Sequence, residues 1–338
     1  MFLILSYLHL LIVQIKRRVL GEAHPDYADT MYHLGTVLHF QGKEKDSETL
    51  IWDSIRILED VGQGESIICT KRMRHLAEMY LKSNRIAEAV NLQRKILHKM
   101  ELSKGWGSLD TVLAAERLAL TLLTQGSLTD AQQLLERCLD ARKILLPENH
   151  IEIAGNMLHI ARLKMLSSNK LRKTDVSQAI TELDMAKDLL SQSIRVARKV
   201  LAQTVKERGQ PKSFGVSRQT GRYKQLALII LLKSLYTLAL LEVTKAELQE
   251  SKVDGLAGEA ENALHQCISA FREFETEKSL GDIPEVKAEY LSCLKYLFGL
   301  INIGGKILTA DQSRKAELQQ LKAEINRMEM ELSAKHRS

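Results

Sequence analysis

The sequence predicts an all-α fold, an α-solenoid of stacked helix-turn-helix repeats, and three observations support this prediction. An apolar residue followed by a small one recurs every 42 residues, in Leu34-Gly35, Leu76-Ala77, Leu118-Ala119 and Ile160-Ala161. Turn residues follow the first three pairs, in Gln41-Gly42, Ser83-Asn84 and Gln125-Gly126. Only four prolines occur in 338 residues, and none interrupts a helical stretch. A period of this length is typical of a repeat array, in which each unit buries its apolar face against its neighbours.

The repeating unit resembles the tetratricopeptide repeat, which has Leu-Gly or Leu-Ala in its first helix and Ala in its second. Here the small residues of the second helices are Ser47, Ala89 and Ala131. The usual tetratricopeptide unit is about 34 residues long, and the longer unit here is similar to that of the kinesin light chains. The connector at 20–28, LGEAHPDYA, and its copy three periods later at 146–154, LPENHIEIA, carry the same resemblance.

Residues 1–19 are predicted to be the second helix of a truncated repeat. The stretch 16–20 aligns, three periods earlier, with 142–146 at the end of a later second helix. The segment is too short to span a bilayer and lacks the basic leader and cleavage site of a secretory signal. We therefore expect a chain that is incomplete at its N-terminus, and no membrane span.

The rest of the chain is predicted to fall into three parts. Residues 20–205 hold the regular repeats, and the fourth repeat carries an insertion at 167–175. Residues 206–224 are rich in Gly, Ser, Lys and Arg, a composition that predicts a basic flexible loop. Residues 225–338 are predicted to form degenerate repeats that end in a capping helix.

The final predicted helix carries an apolar seam with heptad spacing, which we call the C-terminal seam. It consists of Leu318, Leu321, Ile325, Met328 and Leu332. Such spacing is typical of coiled coils. Two interpretations remain open: the seam caps the last repeat, or it forms a homodimer.

Composition sets further expectations. A net charge of +6 favours a mildly acidic partner. The sequence lacks the dense basic stripe that is typical of nucleic-acid-binding proteins, so we expect no nucleic-acid partner. The four cysteines show no metal-type spacing, and Cys138 is predicted to be a buried thiol. We therefore expect a reducing compartment and a cytoplasmic protein, with organelle targeting left open if an upstream segment is missing.

No catalytic motif is present in the sequence. Residues 299–306 approximate a phosphate-binding loop, but an extra glycine shifts Lys306, and Ile307 stands where Ser or Thr is required. The sequence also lacks a nucleophile elbow and a cluster with metal-ligand spacing. We expect no enzymatic activity, no cofactor and no metal.

A row of polar residues precedes the four pairs and is the predicted binding site. Its members are His33, His75, Arg117 and His159. The resemblance implies that this edge of the first helices faces a concave groove and hydrogen-bonds a peptide. Neighbouring candidates for the same groove are Tyr32, Arg74, Thr36, Glu78 and Arg162. Histidines that contact carboxylates would make binding weaken as pH rises. Alternatively, the row lines a solvated surface.

These patterns favour a non-enzymatic adaptor that binds a partner peptide in its concave groove. Apolar anchors would supply affinity, and the polar row would fix register. The resemblance implies a more specific version, a cargo adaptor linked to a kinesin-type motor. The alternative is an RNA-binding helical-repeat protein, but such proteins read bases through recurring side chains that are absent here.

Overall fold

The computed structural model describes residues 2–206, 214–249, 253–275, 280, 282–305 and 312–335. This part of the chain contains thirteen α-helices and no strand, which confirms the predicted all-α fold. The chain divides into two units, residues 1–134 and 135–338. This division differs from the predicted one, and each unit is described by itself.

Unit 1 consists of consecutive helices that pack as pairs. Its helices are α1 (Phe2–Leu20), α2 (Pro25–Phe40), α3 (Glu44–Asp60), α4 (Ile67–Lys82), α5 (Ile86–Lys104), α6 (Leu109–Gln125) and the beginning of α7 (Leu128–Leu145). The first helix of each complete repeat packs on the second, α2 on α3 and α4 on α5. The helix pairs therefore follow the 42-residue step.

A side-chain cap begins each first helix. The capping residues are His24, Ser66, Ser108 and His150, again 42 residues apart. Each side chain accepts a hydrogen bond from a backbone N–H in the first turn of its helix. Such a cap satisfies one of the donors that a helix start leaves without an intrahelical partner.

A left-handed residue ends the first helices of the first three complete repeats. Gly42, Asn84 and Gly126 have φ of 76°, 58° and 89°. The next residue's N–H bonds to a carbonyl five residues back, as in Lys43 N to Leu38 O at 3.0 Å. This is the Schellman arrangement, which favours Gly or Asn. One period later, Ser168 is helical. The first helix of the fourth repeat is therefore lengthened by the insertion and continues to Leu171.

The small residues of the repeat lie where two helices come closest. A Cβ on Gly35 would lie 2.9 Å from Ile51 Cγ1. The Ser47 hydroxyl donates a 2.6 Å hydrogen bond to Gly35 O. A larger residue at position 35 would push α2 and α3 apart.

Unit 2 is built around one long central helix. Its helices after α7 are α8 (Ile151–Leu171), α9 (Val176–Lys206), α10 (Phe214–Leu248), α11 (Val253–Glu275), α12 (Pro284–Gly305) and α13 (Gln312–Lys335). Helix α10 packs against α8, α9, α11 and α12. The core includes Leu228, Leu232 and Phe271, all buried.

The segment Gly221–Leu248 is the one stretch of the described chain that is long and apolar enough to cross a membrane. Of its most apolar window, 67% is buried within the protein. A mostly buried core helix passes the same length and hydropathy test. We therefore assign this segment to the core of unit 2.

The prediction of a basic flexible loop at 206–224 is wrong for most of this segment. Lys206 ends α9, and α10 begins at Phe214, while 207–213 lie outside the described residues. Gly215 and Gly221 suggested a break, but a glycine costs a helix only about 1 kcal/mol. The packing of α10 in the core outweighs that cost.

The C-terminal seam faces its own chain. Leu321 and Met328 are buried, and Leu318 and Ile325 pack against the same core cluster. The helix that carries them lies on α12. The interpretation that this seam forms a homodimer is therefore wrong, because its apolar face is already covered by its own chain. The other interpretation, that the helix caps the last repeat, agrees with this contact.

The cysteines divide into two kinds. Cys138 is buried and forms no disulfide, as predicted, and Cys69 is a buried thiol. Cys267 and Cys293, however, form a disulfide that joins α11 to α12. The expectation of a reducing compartment therefore loses the support of these two residues, because disulfides persist mainly in oxidising compartments.

Candidate functional site: a groove on unit 1

A groove on unit 1 lies among α4, α5 and α6 and has a cavity volume of about 490 Å³. Its apolar lining consists of Ala77, Leu81, Ile86, Ile96, Ala114 and Leu120. Its polar lining consists of Arg74, Glu78, Gln93, Arg117, Thr121 and Thr124. Three of the predicted site residues, Arg74, Glu78 and Arg117, thus meet in one cavity.

Arg74 is the charged group of this groove that is available to a ligand. Its guanidinium is half-buried and forms no hydrogen bond or ion pair with the described residues. Burial and the neighbouring charge of Arg117 lower the pKa of Arg74 from its ordinary value, and the nearby carboxylates of Asp110 and Glu78 only partly offset them. A carboxylate between the two guanidinium groups would relieve their repulsion and form charge-assisted hydrogen bonds.

Arg117 is only weakly engaged. Its Nη1 lies 3.4 Å from Glu78 Oε1, and both side chains are about half exposed. An exposed ion pair of this kind contributes at most about 1 kcal/mol. Arg117 can therefore turn toward an anion in the groove at little cost.

Gln93 is the unexpected member of the groove. It is only 8% exposed, and its Oε1 has no hydrogen-bond partner among the described residues. One period earlier and later stand Ile51 and Leu135, both fully buried. An unsatisfied buried oxygen costs about 1–3 kcal/mol. An N–H of a bound peptide would remove that cost.

Tyr32, His33 and His75 form a second group, on α2 and α4. The Tyr32 hydroxyl lies 3.2 Å from His75 Nδ1. His33 Nε2 lies 3.6 Å from Asp29, on an exposed part of α2. The Thr36 hydroxyl donates a 3.0 Å hydrogen bond to Tyr32 O, so it is used within its own helix.

His75 differs from the histidine that the sequence suggests. Burial, then the nearby His39 and Lys82, lower its pKa, and only Glu78 acts in the opposite direction. Its hydrogen-bond partner is a phenol and not a carboxylate. The expected weakening of binding as pH rises requires a histidine charged near neutral pH, and His75 does not fit that role.

His159 and Arg162 lie on α8, in unit 2. His159 is half-buried and Arg162 is exposed. The structure thus groups the predicted residues of unit 1 into the groove and the Tyr32 group, and it places these two in the other unit.

Sequence reasoning missed Gln93 and His39. The Nδ1 of His39 is buried without a hydrogen-bond partner in the described chain, and its ring lies 6.3 Å from that of His75. The signal was present in the repeat: one and two periods after His39, the equivalent positions hold Leu81 and Leu123. In the groove (Gln93) and in the Tyr32 group (His39), a polar residue stands at a position that is apolar in the other repeats.

Comparison with known proteins agrees with this architecture. The family model described as tetratricopeptide repeat matches residues 111–152, from α6 to the start of α8. The match spans one 42-residue period of the repeat, and it includes the left-handed Gly126 and the cap His150. A comparison with curated protein sequences finds no match.

Two solved structures share the tetratricopeptide fold with this chain. One is a variant of a kinesin light chain-like protein of Podospora anserina with nearly identical repeats, at 16% identity and a TM-score of 0.50. The similarity covers 75% of this chain and 99% of that one. The other is BtubC (BKLC) of P. vanneervenii, at 13% identity and a TM-score of 0.52, covering 80% of this chain and 91% of that one. These similarities show the fold alone, an α-solenoid of helix-turn-helix repeats.

Proposed function

We propose that the protein is a non-enzymatic interaction scaffold whose groove on unit 1 binds a peptide. The peptide carries a carboxylate next to a large apolar side chain. The observation behind this proposal is the half-buried Arg74, which has no partner among the described residues and stands beside Arg117 on an apolar cavity. The carboxylate would bind the two guanidinium groups, and the apolar side chain would fill the space between α4 and α5.

The peptide backbone has a place in the same arrangement. Gln93 Oε1 is buried on the groove wall and lacks a donor among the described residues. A peptide N–H supplies one. Extended peptides commonly use such a mixture of apolar pockets and a few fixed polar contacts.

The lining favours a peptide over RNA. None of the residues that line the groove is aromatic. Single-stranded RNA is generally bound by stacking its bases on aromatic or guanidinium planes. The two arginines would hold phosphate, but the apolar floor would leave the bases without stacking partners.

A cargo adaptor for a kinesin-type motor is the finer version of this proposal. Its support is the fold that the chain shares with kinesin light chain-like proteins, and one fold hosts many functions. The direct test is binding of the purified chain to a purified kinesin heavy chain, measured by sedimentation velocity.

The groove is tested by peptide selection on the full chain. Random peptides displayed on phage are selected against the protein, and an enriched peptide is measured by fluorescence anisotropy. We expect enriched peptides to pair Asp or Glu with a large apolar residue. Arg74→Gln should weaken binding by about 10-fold or more, because a hydrogen bond to a charged group contributes about 1.5–3 kcal/mol.

Lys71→Gln is the matched control, because Lys71 is an exposed cation on the same helix, α4, and does not line the groove. It should leave the affinity unchanged. Enriched peptides without acidic residues, or equal losses from both variants, would contradict the proposal.

A further inference from the structure

The cap at the start of α8 is a histidine, whereas two of the equivalent caps in this chain are serines. His150 stands where Ser66 and Ser108 stand in earlier repeats. A serine hydroxyl accepts a hydrogen bond at any physiological pH, but an imidazole nitrogen accepts one only while it carries no proton. The start of α8 therefore depends on a group that titrates near neutral pH.

The two ring nitrogens of His150 have different partners. Nδ1 accepts a 3.3 Å hydrogen bond from the backbone N–H of Glu152, in the first turn of α8. Nε2 contacts the hydroxyl of Tyr223, on α10. The two rings meet edge to face, with their centroids 5.2 Å apart and their planes at 86°. His150 thus joins the start of α8 to α10.

These partners determine where the neutral ring carries its proton. Because Nδ1 accepts the Glu152 N–H, the single proton of neutral His150 lies on Nε2, where it donates to the oxygen of Tyr223. A second proton would bind to Nδ1 and place an N–H donor against the Glu152 N–H. It would also put a cation at a helix N-terminus, where the macrodipole disfavours positive charge. Protonation is therefore incompatible with the cap.

The groups around His150 do not compensate for this loss. Burial lowers the pKa of His150 most, the Glu152 carboxylate on α8 opposes that effect, and Arg142 on α7 adds to it. Glu152 is also shared, because its Oε2 lies 3.7 Å from Arg142 Nε. Helix α10 contributes the phenol of Tyr223, and α9 contributes the uncharged hydroxyl of Ser193, which donates to a backbone carbonyl of α8. The surroundings thus favour the neutral ring.

We propose that His150 is an acid-sensitive clasp between α8 and α10. The neutral ring caps α8 through Nδ1 and donates to Tyr223 through Nε2. The imidazolium keeps its Nε2 donor to Tyr223 but no longer accepts the N–H of Glu152. Acid therefore opens the first turn of α8, while the ring stays on α10. This clasp is separate from the peptide groove, whose lining does not include His150.

The pH range of the opening follows from the lowered pKa of His150. The folded chain binds this proton less readily than the unfolded chain, in which the histidine has its ordinary value of 6.5. The cap therefore stabilises α8 fully above pH 6.5, and its contribution is lost as pH falls from 6.5 through the lowered pKa. Transfer of the protein to a mildly acidic environment would open the start of α8.

Amide hydrogen exchange of the full chain, measured by mass spectrometry, tests this clasp. Peptides from the start of α8 report the opening of its first turn, after correction for the intrinsic exchange rate at each pH. Between roughly pH 7.5 and pH 5, we expect their protection to fall about 5-fold, the equivalent of a typical N-cap contribution of about 1 kcal/mol. Peptides from the start of α6, which Ser108 caps, should keep their protection.

His150→Ser is the matched variant, because serine is the cap that this chain uses at positions 66 and 108. It keeps an acceptor that does not titrate, so the start of α8 should be equally protected at both pH values. His150→Ala removes the acceptor and should give low protection at both. Wild-type protection that does not change with pH would overturn the proposal. So would an equal loss of protection on acidification in the wild-type and His150→Ser proteins.

The protonation state of the ring provides a second measurement. Nitrogen-15 NMR of labelled histidines, with the His150 signals assigned by their absence from the His150→Ser protein, distinguishes the two tautomers. We expect the neutral ring to carry its proton on Nε2 and the titration midpoint to lie below 6.5. A neutral ring protonated on Nδ1 would contradict the clasp, because that ring cannot accept the Glu152 N–H.

Discussion

Gln93 places a buried amide where the neighbouring repeats have Ile51 and Leu135. Its Oε1 lacks a partner in the described chain, so the folded state carries the cost of an unmade hydrogen bond. A residue that weakens the fold and lines a groove is typical of a binding function. At the residue scale, Gln93 and Arg74 together define the groove.

Gln93→Leu should stabilise unit 1 and weaken peptide binding. Removal of the unsatisfied oxygen and burial of an added apolar side chain should raise the free energy of unfolding by about 1 kcal/mol. Urea unfolding followed by tryptophan fluorescence measures this change, since both tryptophans, Trp52 and Trp106, lie in unit 1. Asn91→Leu, at an exposed position of the same helix, should not stabilise. A less stable Gln93→Leu protein would show that the amide has a partner.

The pKa of His75 should lie below its ordinary value of 6.5. Burial disfavours the imidazolium, so the neutral ring stabilises the fold at pH above 6.5. That contribution is lost as pH falls from 6.5 through the lowered pKa, because the unfolded chain then binds the proton more readily. NMR titration of the His75 ring, assigned with a His75→Gln variant, measures the pKa. A midpoint at or above 6.5 would contradict the burial argument.

The sequence anticipated part of the site for a physical reason. The 42-residue step identifies one edge of the first helices, and this edge predicted the site residues Arg74, Glu78 and Arg117. Gln93 and His39 were missed because that search followed polar residues at polar positions. A search for polar residues at apolar repeat positions would have found both.

At the element scale, helix lengths are set by a few backbone positions. The caps at His24, Ser66, Ser108 and His150 begin the first helices, and the left-handed Gly42, Asn84 and Gly126 end three of them. The sequence predicted the turns from their Gly and Asn residues. It did not predict that His24 and His150 act as caps, because histidine is an uncommon capping residue.

Gly126→Ala should cost unit 1 about 1 kcal/mol of unfolding free energy. Gly126 has φ of 89°, a conformation that a Cβ makes unfavourable. Gly107 is the matched control, because it has no positive φ and open space around its Cα. Gly107→Ala should be neutral or slightly stabilising, as a fluorescence-detected urea titration can show. Equal effects from the two variants would contradict the role of φ.

Helix α10 shows where element prediction fails. Its first residues read as a loop because Gly, Ser, Arg and Lys dominate there, and local composition says nothing of the partner helices. The four helices that surround α10 are brought together only by the tertiary fold. The C-terminal seam illustrates the same limit, because heptad spacing does not state whether its partner is the same chain or another.

At the scale of the whole molecule, the disulfide between Cys267 and Cys293 joins residues that are 26 positions apart. The sequence gives no spacing signature for it. Its formation depends on α11 packing beside α12, which only the fold of unit 2 reveals. The regular period of unit 1, in contrast, made its helix pairs predictable throughout.

Reduction of this disulfide should destabilise unit 2 by about 3.5 kcal/mol, the chain-entropy value for a loop of this length. Thermal unfolding followed by circular dichroism, with and without reductant, measures the shift in the unfolding midpoint for the helices of both units. Tryptophan fluorescence reports on unit 1 alone and should shift less. An identical shift in both signals, or none, would contradict this assignment. The Cys267→Ala/Cys293→Ala protein provides the control for direct effects of the reductant on the buried Cys69 and Cys138.

The left-handed residues at 42, 84 and 126 also restrict how this chain can change its length in evolution. Because each unit begins and ends at equivalent backbone positions, whole units of 42 residues can be duplicated or excised without altering any cap or turn. Any other insertion within a helix rotates its apolar face away from the neighbour. Length variation among homologous chains should therefore occur in whole repeats, in the connectors, or after a lost left-handed residue, as at Ser168.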